Sequence, residues 1–211
     1  MSFYPKEFKE AISLLSHKEK DKLILRLLKK DLALTNKLMF ELVDTSTVEE
    51  RRAELETHII KSVSRIIETN YSIGYLNMDV RYLSGDITEH VKTTKDKYGE
   101  ASLNLLLLTE LLKGSKQIIL ESRAYTKLHK FLTAIIARVY KVMVLINKMD
   151  NDLLLDFKED LQELAELIIG IEPLMKVAIN NALDINWLIN TEIPEDIVEI
   201  QKELRANGFL K

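Results

Sequence analysis

Asp86 and His90 stand four residues apart, one turn of a helix, so the carboxylate can hold the imidazole on a single face. Asp79, Tyr82, Glu89 and Thr93 project from the same side of that segment, opposite an apolar stripe of Leu76, Val80, Leu83, Ile87 and Val91. Two such polar side chains could share a divalent metal, and Tyr82 could donate a proton to a bound ligand. These residues would serve a small-ligand or metal-dependent enzyme with a polar pocket between this helix and its neighbour. The plainer reading is a solvated face with an ordinary Asp–His pair, and it is preferred because surface helices normally present such faces. Glu54 and His58 repeat the spacing as a lesser candidate.

A second chemistry is anion binding. Arg123, Lys127, Lys130, Arg138, Lys141 and Lys148, with His129, make one stretch basic, and Asp152, Asp156, Glu159, Asp160, Glu163 and Glu166 make the next acidic. Arg123, Lys127, Lys130, Arg138 and Lys141 could hold an anionic partner. Two adjacent antiparallel helices of opposite sign would instead attract each other and need none, which is the favoured account. Tyr125, Phe131 and Tyr140 are expected in the core rather than between the cations, so single-strand nucleic-acid stacking is poorly supported. The formal charge of −3 likewise lacks the basic excess typical of duplex binders.

Several chemistries are excluded. The chain has no cysteine, which removes disulfides, thiolate nucleophiles and Cys-ligated metal sites. Its glycines stand singly at 74, 85, 99, 114, 170 and 208, so none forms a phosphate-cradling loop. There is no Gly-x-Ser-x-Gly elbow and no His-Glu-x-x-His. Leu55 and Ile87 stand three before His58 and His90, where a di-iron bundle needs glutamate. Asp150-Asn-Asp152 begins like a calcium loop, but Leu154 and Leu155 occupy a ligand and the glycine position, so it reads as a helix cap. No metal and no cofactor are expected.

The positioning elements are helices throughout. Ser16 with Glu19 and Thr47 with Glu50 read as capping boxes. Phe8, Ile12 and Leu15 form a short stripe after Pro5, and short helices are expected to Leu28 and over Leu32–Leu42. A long one carries Leu55, Ile59, Val63, Ile66 and Ile67, and the next starts near Ile73, with Gly85 inside it as a candidate kink. Ala101–Lys113 is apolar around much of its circumference. It is expected to be a central core helix, with a dimer interface as the alternative, and Gly114 is expected to end it. The pattern resumes from Lys116 to Met149 with a break near Ser122. Asn151 or Asp152 can cap the following helix, which ends at Gly170. Pro173 opens another running to Trp187, and Thr191-Glu-Ile-Pro194 opens the last, which stops at Asn207-Gly208. Trp187 and the Phe3, Tyr4, Phe8 cluster are expected in the core or as hydrophobic staples.

With 46% hydrophobic and 30% charged residues, six glycines and three prolines, the composition is globular and poor in breakers. The expected fold is all-α, an irregular bundle of about 8–10 helices in one domain over residues 1–211, with an α-solenoid stack of hairpins as the alternative. No apolar run reaches the roughly 18 residues of a membrane span, the start lacks a signal-peptide core, and Asn70-Tyr71-Ser72 is a chance glycosylation match. The cytoplasm is the expected compartment. The expected function is a non-enzymatic protein–protein interaction module, an adaptor or scaffold, with a homodimer as one form of assembly and nucleic acid disfavoured.

Overall fold

The computed structural model describes residues 3–69 and 72–211. Asn70 and Tyr71 of the sequon lie outside the described residues, as does the Asn151 side chain. Eleven α-helices follow one another among the described residues: α1 (Lys6–Leu14), α2 (His17–Leu28), α3 (Leu32–Leu42), α4 (Val48–Glu68), α5 (Ile73–Thr94), α6 (Lys97–Glu121), α7 (Tyr125–Ile146), α8 (Lys158–Ile169), α9 (Glu172–Asn180), α10 (Asn186–Ile189) and α11 (Ile197–Ala206). Helix accounts for 79% of the described residues, and none of them is in a strand. The fold is an all-α, multi-helix bundle. Backbone contacts divide it into two compact units. The first runs through residue 45 and takes in Lys92–Thr94; the second comprises Ser46–Val91 and Lys95–Lys211.

Local sequence starts and stops these helices. Ser16 accepts from the Glu19 N–H while Glu19 accepts from the Ser16 N–H, and Thr47 and Glu50 repeat the arrangement, so both capping boxes form. Asp31 and Asp96 cap α3 and α6 through the N–H groups of Leu34 and Gly99. Gly170 ends α8, and Gly208, at φ +88°, takes the left-handed turn after α11.

In the second unit α6 is enclosed. It packs against α4, α7 and α8, while α9 packs against α7 and α8. Leu103, Leu105, Leu107, Leu108, Leu111 and Leu112 are all 0% exposed, so the chain itself covers the segment that also read as a dimer interface. Each such leucine contributes about 1.5–3 kcal/mol on burial. Phe131, Ile135, Ile136, Val139 and Tyr140 of α7 and Leu161, Leu164, Ala165 and Ile168 of α8 complete the core.

Four local expectations change. Gly114 does not end a helix: α6 continues to Glu121, and a Cβ at Gly114 would lie 2.8 Å from Ile67 Cγ1, so glycine allows α4 and α6 to approach closely. α5 runs unbroken through Gly85. A 3-10 turn over Asn151–Phe157 precedes α8, whose first residue is Lys158. The helix begun near Pro173 ends at Asn180, because Ala182 adopts φ +54° and turns the chain before Trp187, which is half-buried against the core.

The first unit is built differently. No residue of α1, α2 or α3 is buried. Polar links hold it locally: Lys20 Nζ donates to the Ser13 carbonyl at 3.2 Å and Thr35 Oγ1 to that of Leu28 at 2.8 Å. Phe3, Tyr4 and Phe8, expected in a core, are 90%, 53% and 50% exposed, with Phe3 and Tyr4 edge to face. Three helices of 9, 12 and 11 residues are too short to enclose a core of their own.

Candidate functional site

Three of the polar residues singled out on α5 do line a cleft. Asp79, Tyr82 and Asp86 face His58, Ser62 and Arg65 of α4 across about 320 Å³. Asp86 does not hold His90. Its Oδ2 lies 3.5 Å from His58 Nε2, with both side chains about half exposed (50% and 54%). The i, i+4 spacing therefore gave way to a cross-helix partner, and the Glu54–His58 pairing gave way with it. Glu89 is exposed and Thr93 buried.

His90 turns inward. Its side chain is 6% exposed and its Nε2 lies 3.1 Å from Asp96 Oδ2. Arg52 donates to both Asp96 oxygens, Nε to Oδ2 at 2.7 Å and Nη2 to Oδ1 at 2.9 Å, and the Gly99 N–H donates to Oδ1 at 2.8 Å. One carboxylate thus caps α6, receives a two-pronged arginine from α4 and meets a histidine from α5. Burial alone would raise the Asp96 pKa, but the bonds from Arg52, Gly99 and His90 outweigh it and hold it below the usual aspartate value. The same bond to Asp96 raises the Arg52 guanidinium. Arg52 also lies 4.9 Å over the Tyr98 ring, which packs at 5.0 Å on Phe157. A Cβ at Gly99 would fall 2.0 Å from Asp96 Oδ2, so glycine is required there. This cluster joins α4, α5 and α6, and Arg52, His90 and Asp96 are not part of the α4–α5 cleft lining.

Burial pushes the Tyr140 phenol up to about 12, and its O–H donates to the Asn181 carbonyl at 3.1 Å, a latch inside the core. Among the described residues, no group of three His, Asp or Glu side chains could hold a metal ion.

The basic segment does not act as one face. Lys141 pairs with Glu100 of α6 at 3.0 Å, and Arg138 Nε donates to Ser84 Oγ of α5 at 3.1 Å. Burial and then the Arg81 charge hold the Arg138 guanidinium below its ordinary value. Arg123, Lys127 and Lys130 remain exposed, with Arg123 at the rim of an open cleft of about 890 Å³ beside Tyr125, Glu172 and Lys176. The expected pairing of basic α7 with acidic α8 is replaced by α6, which packs on both and answers each with opposite charge. Glu100 takes Lys141, and Lys113 takes Glu163 at 2.9 Å.

Exposed large apolar side chains are most numerous in the first unit. Thirteen large apolar side chains of residues 3–45 are exposed, against ten among the other described residues. Two of them, Phe8 and Ile12, line a groove of about 640 Å³ between α1 and α2, with Ala11 from α1, Leu15 just past its end and Leu23 from α2. Lys22 and Arg26 stand at its edge. The stripe of Phe8, Ile12 and Leu15 was visible in the sequence, but helical spacing identifies an apolar face and not what covers it. Compared with known proteins, the chain matches no family, no curated protein and no solved structure.

Proposed function

We propose that this chain is a non-enzymatic helical interaction module, an adaptor or scaffold, that engages a partner protein through α1–α3. The observation that carries this reading is the absence of any buried residue in those three helices despite their many large apolar side chains. Contiguous exposed apolar surface rimmed by charge marks interaction sites in folded proteins. The second unit covers its core with its own helices. Among the described residues no helix is long and apolar enough to cross a membrane, and a sequence without cysteine suits the reducing cytoplasm, where we place it.

One observation favours a second reading, a small-ligand or metal-dependent enzyme: the α4–α5 cleft gathers Asp79, Tyr82 and Asp86 with His58 and Arg65. Its weakness is that His90, the imidazole read as held by Asp86, is engaged by Asp96.

Capture of the tagged full chain from its native cells at physiological salt, with stoichiometry by mass spectrometry, separates the two. The module reading expects a stoichiometric protein partner. Recovery of the chain alone would overturn it and direct metabolite and metal screens to Asp86→Ala and His58→Ala.

A further inference from the structure

Resting on that reading, we propose that the α1–α2 groove seats one amphipathic helix of the partner, and that this helix is flanked by acidic residues. The floor supplies apolar contacts at i, i+3 and i+4 of α1 (Phe8, Ala11, Ile12), extended by Leu15 just past its end and opposed by Leu23. That is the spacing a helix laid in a groove meets with its own apolar stripe. The rim supplies the sign. Lys22 and Arg26 line it, and Lys18 and Lys30 continue their four-residue spacing along α2 and just past its end, with Lys29 beside Lys30. All are exposed, and among the described residues none of them is ion-paired. Glu19, the one carboxylate in the groove lining, is already engaged: it accepts from the Ser16 N–H at 2.9 Å and the Ser16 hydroxyl at 2.6 Å. An occupant with acidic flanks answers this rim.

Other occupants fit worse. A second copy seated groove on groove would bring two cationic rims together. A bilayer surface is met by an apolar face that projects from the protein, whereas this one is recessed between two helices.

The test uses the full chain against a displayed library of helices of about five turns with a constant leucine stripe and flanks randomised among Glu, Lys, Gln and Ser. Enriched helices are expected to be rich in Glu and to bind more weakly as salt rises. Ile12→Asp should reduce their affinity at least about tenfold, and Lys22→Glu with Arg26→Glu should do the same while shifting preference toward Lys flanks. The charge-reversed variant alters only exposed side chains, so it remains informative if Ile12→Asp perturbs α1. Neutral or basic flanks among the enriched helices, no enrichment, or binding indifferent to both variants overturns the proposal. So does uptake by phosphatidylserine vesicles in place of helices, or self-association that Ile12→Asp abolishes. If a native partner is still lost on Ile12→Asp while the library shows no acidic preference, the module stands and the acidic helix falls.

Discussion

Replacing Asp96 with alanine is expected to lower the unfolding free energy by about 3–5 kcal/mol, the usual cost of removing one partner from a buried ion pair. The Asp96 side chain is 4% exposed and Arg52 17%, so the stranded guanidinium would face a largely dry site. The N-cap of α6 would be lost as well, and α6 is the helix on which α4, α7 and α8 pack. Gly99→Ala should reproduce much of the effect with every charge retained, since its Cβ would displace the carboxylate. Urea denaturation followed by circular dichroism measures both. The pH dependence follows from the depressed folded pKa of Asp96. Its contribution is fully present above the unfolded aspartate value, near about 3.9, and is lost as pH falls through the lower folded value. Asp96→Ala should therefore flatten the acid limb of the stability profile. An unchanged limb would mean that the cluster contributes little to folding.

Ile12→Asp combined with Leu23→Asp is expected to weaken partner binding at least about a hundredfold while changing global stability by less than about 1 kcal/mol. Ile12 is 37% exposed and Leu23 only partly covered, so neither change creates a buried charge in the second unit's core. In the complex both positions would lie on the groove floor, where an aspartate would be desolvated without a counter-charge. Isothermal titration with the captured partner reads the first effect and thermal melting the second. Equal losses in both would identify the two side chains as structural.

Much of the helical framework was legible because it is written locally. A capping box spans three residues, and the Leu76–Val91 stripe is a repeat along one helix, so Ser16, Thr47 and the start of α5 could be read directly. The all-round apolar character of Leu103–Leu112 likewise matched its enclosure. The contacts that decide the candidate sites are not local. Arg52 and Asp96 are 44 residues apart, and only the packing of α4 against α6 makes them neighbours. His90 had an attractive partner one turn away in Asp86, yet tertiary geometry gave Asp86 to His58 and His90 to Asp96. Gly114 carried a stop signal that close packing against Ile67 overrode. The first unit shows the same limit from the other side: its apolar stripes imply burial, yet no residue of α1, α2 or α3 is fully buried.

Amide hydrogen exchange on the full chain, alone and saturated with its partner, tests the interaction surface most directly. The expected result is fast exchange across α1–α3 in the free chain, with slow exchange in α6 and α7, and strong protection of α1 and α2 on binding. Protection of α1–α3 in the free chain equal to that of α6, or a binding footprint confined to α4–α11, would contradict the account.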